Sequence, residues 1–194
     1  MKTVYLFRHS IPDRTVSPEN GLMPLSREGK EALETLLCKY RFNRGIKIYT
    51  SPYMRAYESA EIIGRNITCD ERLSERLIGN RASFTVQAWA RQYADIDFAN
   101  ENGESFRSVR ERMTAAVNEI LDGTPDGGEV CIVSHAAAIC AFLMQWCEIE
   151  VTDAQKKHRR ITFRGETVSD GEIKTPSYFV LKFDGDPVSV RYFC

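Results

Sequence analysis

Two of the three histidines in this 194-residue sequence stand just beyond short apolar runs. His9 comes after Val4-Tyr5-Leu6-Phe7 and Arg8, and His135 comes after Val130-Cys131-Ile132-Val133 and Ser134. Runs of this kind read as buried strands, and ligands of open α/β sheets collect outside the carboxyl ends of strands. A third candidate strand, Ile46-Lys47-Ile48-Tyr49-Thr50, leads into Ser51 and, four residues on, Arg55. If these strands are neighbours, Arg8, His9, Arg55 and His135 converge. Four cationic or potentially cationic groups would repel one another without a dianion between them, and phosphate fits. Arginine presents a planar fork of donors to two oxygens, and the backbone N–H groups of His135 and Ala136 at a helix start add more. A neutral imidazole there can attack phosphorus in line and form a phosphohistidine that water later cleaves. The leaving alkoxide then needs a proton, for which a carboxylic acid on a loop is the economical donor. Taken singly, a histidine at a strand end is a structural hydrogen-bonding residue and an arginine on a helix is a solvated charge. The joint pattern carries the reading, because Arg8 and His9 abut an apolar strand where a polar pair without partners is costly.

The elements that must position these groups are short apolar runs alternating with helical periodicity, which predicts a sheet covered by helices. Ser26 to Tyr40 reads as an amphipathic helix, with Ser26 as N-cap and Leu33, Leu36, Leu37 and Tyr40 on one face. Pro52 is expected in the first turn of a helix capped by Ser51, continuing through Arg55 to Ile63 and closing near Gly64. Ser83 to Phe98 reads as a poorly patterned helix in which Trp89 and Tyr93 are core residues, with a lid over the site as the alternative. Ser105 to Leu121 carries a clear apolar face, and Ala136 to Trp146 reads as a small apolar helix. The polar stretch from Glu150 to Thr175 has no clear pattern. Its basic run, Lys156 to Arg160, is expected to be a solvated turn, the alternative being a rim that attracts an anion. Tyr178 to Phe183 and Val188 to Phe193 flank Asp184-Gly185-Asp186 as an antiparallel hairpin. The expected fold is α/β, a three-layer α/β/α sandwich whose mostly parallel central sheet ends in this C-terminal edge hairpin, one domain over residues 1–194.

Twenty-six Lys and Arg against 27 Asp and Glu leave a net charge of −1, so no global field holds a nucleic acid. No window approaches the roughly 18 apolar residues of a membrane span, and the N-terminus meets an arginine before any signal core is complete, so a cytoplasmic protein is expected. The six cysteines are dispersed without metal-ligand spacing and read as reduced thiols, mostly packing residues. No metal and no cofactor is called for, and the oligomeric state is open.

Five blocks also appear in order: Arg8-His9-Ser10; Ser51 to Glu61, written Ser-Pro-Tyr-Met-Arg-Ala-Tyr-Glu-Ser-Ala-Glu; Arg72-Leu73-Ser74-Glu75-Arg76; Gly103-Glu104-Ser105; and Val133-Ser134-His135-Ala136. In this order they resemble the histidine phosphatase superfamily, the phosphoglycerate mutase-like proteins, over nearly the whole chain. The resemblance implies that His9 is the phosphorylated nucleophile and that Arg8, Arg55 and His135 bind the phosphoryl group. Glu75 matches the proton donor of the mutase and small-molecule phosphatase branch. The other branch carries an Asp after its second histidine, where this chain has Ala136. Without the family, Glu75 would read as a solvent-exposed loop carboxylate. Ser10 stands where the family has glycine, and it either crowds the pocket or adds a hydroxyl to the phosphate site alongside Ala136. Glu104 is expected to favour a helix start and not to touch substrate. The implied function is hydrolysis of a small phosphomonoester without a metal. The alternatives are a phosphoglycerate-type mutase, for which the chain is short, and a phosphate-binding protein with little turnover.

Overall fold

The computed structural model describes residues 1–17, 19–39 and 45–194. Its central sheet contains β1 (Lys2–Arg8), β2 (Lys47–Thr50), β3 (Asn66–Cys69), β4 (Glu129–Ser134), β8 (Ser177–Asp184) and β9 (Asp186–Phe193). The spatial order is β3-β2-β4-β1-β8-β9. The first four strands run parallel, whereas β8 is antiparallel to β1 and β9 to β8.

Alternation along the two middle strands explains why both faces are covered. Val4 and Leu6 of β1, with Val130 and Ile132 of β4, point into one apolar cluster; Phe7, Cys131 and Val133 point into the other. On the first face lie α4 (Phe106–Asp122) and α5 (Ala136–Leu143), and on the second α1 (Arg27–Lys39) and α2 (Met54–Ile63). This is the three-layer arrangement anticipated from the pattern of apolar runs. Phe7, Phe106, Phe142 and Phe179 are fully buried, each contributing about 1.5–3 kcal/mol of transfer free energy.

Several local expectations are corrected. Helix α2 begins at Met54, so Pro52 precedes it, and Ser51 accepts the N–H of Tyr53 at 3.3 Å without capping the helix. The small helix ends at Leu143, because Met144 to Trp146 turn back into a strand. The helix expected over Ser83 to Phe98 is confined to α3 (Val86–Ala94), capped by the Thr85 hydroxyl. Strand β3 had no apolar signature to betray it: Asn66, Thr68 and Cys69 face outward at a sheet edge. The unpatterned stretch after Glu150 falls within a second, three-stranded antiparallel sheet of β5 (Cys147–Asp153), β6 (His158–Phe163) and β7 (Glu166–Gly171). Its Ile149, Ile161 and Phe163 join the first core cluster, and its other residues are mostly solvated, which dilutes the sequence signal. Tyr40, placed by the periodicity on the apolar face of the first helix, lies outside the described residues. The six cysteines are free, but Cys38, Cys69 and Cys194 are exposed, so only half are packing residues.

One close approach fixes the loop after β1. Gly29, in the first turns of α1, lies directly against the backbone of Ile11, and any Cβ there would penetrate the Ile11 carbonyl. The Ile11 carbonyl accepts the N–H of Ser26 at 2.9 Å, and the Gly29 carbonyl accepts the Ser10 hydroxyl at 2.6 Å. Helix and loop are thereby locked together. Gly29→Ala must push them apart, and a loss of about 1–3 kcal/mol is expected in urea unfolding. A variant as stable as the parent would show that this contact does not hold the loop.

Candidate active site

The parallel register brings the carboxyl ends of four strands level. Arg8 pairs with Ser134, Thr50 with Val133, and Cys69 with Thr50. Pairing continues one residue further: the His9 N–H donates to the Ser134 carbonyl, Ser51 to Val133 and Asp70 to Thr50. The loops that begin at residues 9, 51, 70 and 135 therefore leave the sheet side by side. Arg8, His9, Arg55 and His135 meet there as the sequence predicts.

The two imidazole centroids are 4.9 Å apart, and the Arg55 guanidinium bridges them. Its Nε donates to His9 Nε2 at 3.1 Å and its Nη2 to His135 Nδ1 at 3.2 Å, while Nη1 is held by the Asn20 carbonyl. The tautomers follow from these partners. His9 Nδ1 donates to the Ser10 carbonyl at 2.6 Å, so Nε2 is the unprotonated nitrogen, whose lone pair accepts the Arg55 Nε–H. His135 accepts at Nδ1 and donates from Nε2 to the Ser51 hydroxyl at 2.8 Å. The Tyr53 ring stands edge-on to His135 at 5.1 Å and beneath the Arg55 guanidinium at 4.9 Å. Arg8 donates through Nη1 to the Ile173 carbonyl, and its buried Nε has no partner among the described residues.

Burial first, then the charges of Arg55 and Arg8, hold His9 well below the ordinary imidazole range. His135 is pushed down in the same way, by burial and then by His9, Arg55 and Arg8. Both rings are neutral near pH 7. Two guanidiniums beside two unprotonated imidazoles have the charge to suit a dianion, and an unprotonated ring nitrogen among them can act as a nucleophile.

Glu75 lies on the same cleft, of about 440 Å³, with Arg8, His9 and Arg55. Its Oε1 accepts the N–H groups of Arg76 at 2.9 Å and Ala138 at 3.1 Å; Oε2 makes a long contact of 3.5 Å to the Ala137 N–H. It is thus anchored on the start of α5 and is not a free solvated carboxylate. Ala136, the first residue of α5, lines the adjoining cavity. The Ser10 hydroxyl is turned to Gly29 and neither crowds the cleft nor gives its proton to it; its role is in the loop lock.

Four contributors were not legible as site residues. Ser51 reads in the sequence as a helix cap, and Tyr53 only as a position within the second of the five blocks. Arg112 donates to the carbonyls of Arg72, Ser74 and Glu75 at 2.7, 2.8 and 3.2 Å, and it grips Glu104 through Nε and Nη2 at 2.8 and 2.9 Å. Glu104, expected only to favour a helix start, also accepts the Leu77 N–H at Oε2, at 2.8 Å. Together they hold the loop that carries Glu75. The one sequence signal for Arg112 is a cation beside Val109 and Met113 at the margin of the apolar face of α4. Gly79 completes the loop: its φ is +73°, and a Cβ would enter the Glu101 carbonyl. Arg159 of the basic run is buried, donating to the Tyr93 hydroxyl at 2.5 Å, whereas Lys157 is exposed at the rim. The solvated-turn expectation therefore fails for Arg159.

The depressed imidazoles dictate a pH dependence of stability. Below about pH 6.5 the unfolded chain binds protons at residues 9 and 135 that the native state does not. Stability is therefore flat on this account above that pH and falls below it, by about 1.4 kcal/mol per pH unit for each ring. Urea unfolding between pH 7.5 and 5 checks this. His9→Gln and His135→Gln should each flatten the acid limb, and unchanged slopes would contradict the assignment.

The profile of the histidine phosphatase superfamily (branch 1) matches residues 4–162. A probable phosphoglycerate mutase, GpmB of Cronobacter sakazakii (strain ATCC BAA-894), is 30% identical over 156 residues, 72% of each chain. Among solved structures, Bacillus stearothermophilus YhfR superposes with a TM-score of 0.62 at 26% identity, covering 95% of this chain and 93% of its own. A mycobacterial glucosyl-3-phosphoglycerate phosphatase shares the fold with a TM-score of 0.68 at 22% identity, over 99% of this chain and 96% of its own. With its two histidines and two arginines gathered at the strand ends, the chain belongs to branch 1 of the histidine phosphatase superfamily.

Proposed function

We propose that this protein is a phosphomonoester hydrolase that acts through a phosphohistidine on His9, with a small phosphorylated metabolite as substrate. The observation that carries the reading is the Nδ1 bond of His9 to the Ser10 carbonyl, which leaves Nε2 unprotonated on the cleft, its lone pair held only by the Arg55 Nε–H. On entry of a phosphomonoester, Arg55 trades its two imidazole partners for phosphoryl oxygens, and Arg8 and His135 take the others. Nε2 of His9 then attacks phosphorus in line, the P–O bond to the alcohol breaks, and Glu75 gives its proton to the departing oxygen. In the second half, the Glu75 carboxylate takes a proton from water as the water oxygen bonds to phosphorus. The P–N bond breaks, and inorganic phosphate and neutral His9 are restored. The guanidiniums and His135 neutralise the charge that phosphoryl transfer develops, so turnover proceeds without a metal ion.

Hydrolysis requires that water reach the phosphoenzyme. The rim residues Arg14, Arg81 and Lys157 are exposed, which favours such access. The phosphatase named among the structural neighbours points the same way. The mutase named among the relatives makes transfer to an added alcohol a necessary control.

Purified protein is expected to release phosphate from 4-nitrophenyl phosphate in the presence of EDTA. An acid-quenched phosphoenzyme should be trapped with the parent and be absent in His9→Ala, and retained in His158→Ala. Phosphate release abolished by chelator, or a phosphoenzyme that survives His9→Ala, would overturn the mechanism. Transfer to glycerol outpacing release to water would assign a mutase.

Glu75→Gln separates the proton donor from the cradle. A large loss, about 10²–10⁴-fold in kcat, is expected with alkyl phosphates, and a much smaller one with 4-nitrophenyl phosphate, whose leaving group needs no proton. Equal losses on both would remove Glu75 from the role.

A further inference from the structure

Among the described residues, Ser51 is the side chain hydrogen-bonded to His135 Nε2, and its place is fixed from several sides. It is the first residue beyond β2, wholly buried like His135 itself. Its N–H donates to the Val133 carbonyl at 3.0 Å, and its carbonyl accepts the Thr50 hydroxyl at 3.1 Å. The imidazole is held as firmly. His135 is the N-cap of α5, its carbonyl accepts the Ile139 N–H at 2.9 Å, and the Tyr53 ring stands edge-on to it. The hydroxyl oxygen therefore keeps its position, and only its proton is left to turn. That oxygen accepts twice, from His135 Nε2 at 2.8 Å and from the Tyr53 N–H at 3.3 Å. Its own proton has no acceptor among the described residues while Nε2 carries a hydrogen.

Arg55 dictates where that ring hydrogen sits. A guanidinium only donates, so His135 Nδ1, 3.2 Å from Arg55 Nη2, must be bare and the proton must be on Nε2. An oxygen of a phosphoryl dianion makes the opposite demand, because it only accepts. On the phosphatase reading, which this inference rests on, His135 takes such an oxygen, and for that Nδ1 must carry the proton. We infer that Ser51 is a positioning residue for His135, and that its hydrogen bond to Nε2 reverses when the phosphoryl group binds. The contact in which Nε2–H donates to Oγ becomes one in which Oγ–H donates to Nε2, and the ring is fixed with its Nδ1–H turned to the dianion. The ring holds one proton before and after. It gives one up from Nε2 and takes one at Nδ1, in exchange with water, so its charge is unchanged. Burial, with His9, Arg55 and Arg8 around the ring, disfavours a second proton, which is why the proton is moved and not added. Each polar group of the pair is then matched, Nε2 by the Ser51 proton and the Ser51 oxygen still by the Tyr53 N–H. A hydroxyl suits the place because one fixed oxygen serves as acceptor in the first state and donor in the second.

The test uses the full chain labelled with nitrogen-15 histidine, with inorganic phosphate as the probe, read by NMR of the ring nitrogens. The sequence has three histidines, so the His135 signals are identified by their loss in His135→Gln. Without phosphate the His135 proton is expected on Nε2, with Nδ1 bare. With saturating phosphate it is expected on Nδ1, with Nε2 bare. The same tautomer under both conditions, or a proton on both nitrogens when phosphate is bound, overturns the inference. In Ser51→Ala the phosphate Kd read by calorimetry is expected to rise about tenfold, and in Ser51→Thr, which keeps the hydroxyl, to stay within about threefold of the parent. An unchanged Kd in Ser51→Ala also overturns it. If the Ser51 variants do not fold, the tautomers of the parent alone still decide, since no reversal refutes the role. Reversal without phosphate release from 4-nitrophenyl phosphate would fault the phosphatase reading and leave the role of Ser51 standing. Release without reversal would do the opposite.

Discussion

The site depends on one constraint, the parallel register of β2, β4 and β1. Backbone pairing of Arg8 with Ser134 and of Thr50 with Val133 sets three strand ends at one level. A slip by one residue would turn every side chain of a strand to the opposite face, exchanging Val4 and Leu6 for Phe7 against different helices. Both faces of these strands are packed, so the register is fixed by the core. The positions of His9 and His135 are therefore a by-product of how Val130, Ile132 and Leu6 bury themselves. Chemistry inherits its precision from packing.

Electrostatics works in the opposite sense. Burial and mutual repulsion keep both imidazoles unprotonated, and Arg55 is accommodated by ring nitrogens, the Asn20 carbonyl and the Tyr53 face. The same burial and neighbouring charge leave an unprotonated imidazole nitrogen on the cleft at neutral pH.

Around this centre the chain invests its strongest polar contacts in holding a loop. Arg112 joins α4 to residues 72–75, Glu104 ties the same guanidinium to Leu77, and Glu75 reaches across to the amides that open α5. The N–H groups of a helix start, an obvious place for a phosphate, are here partly taken by the protein's own carboxylate. That carboxylate is brought beside the cleft without being buried by apolar residues. Arg112 is a positioning residue, and its planar five-donor fork suits it to gather three carbonyls and a carboxylate at once.

Much of this was legible in the linear chain. Apolar runs of four residues ending in polar ones located β1 and β4, the periodicity of Val109, Met113, Val117 and Ile120 located α4, and the terminal hairpin was marked by its Asp-Gly-Asp turn. Their order, with Arg55 after the second strand, was enough to assemble His9, His135, Arg8 and Arg55, because α/β topology sends all such strand ends to one side. Hidden from it were elements whose burial is partial: β3 at the sheet edge, and the small sheet of β5 to β7, only some of whose residues reach the core. Equally hidden were the partners of each polar group. Whether Ser10 faces the cleft or Gly29, whether Arg159 is solvated or buried against Tyr93, and whether Ser51 caps a helix or meets His135 depend on neighbours distant in sequence. Local spacing encodes periodicity and caps, so the chain alone determined β1, β2 and β4, the main helices packed on them and the terminal hairpin. Tertiary packing decides which donors meet which acceptors, and so it alone revealed the pairing of Ser51 with His135.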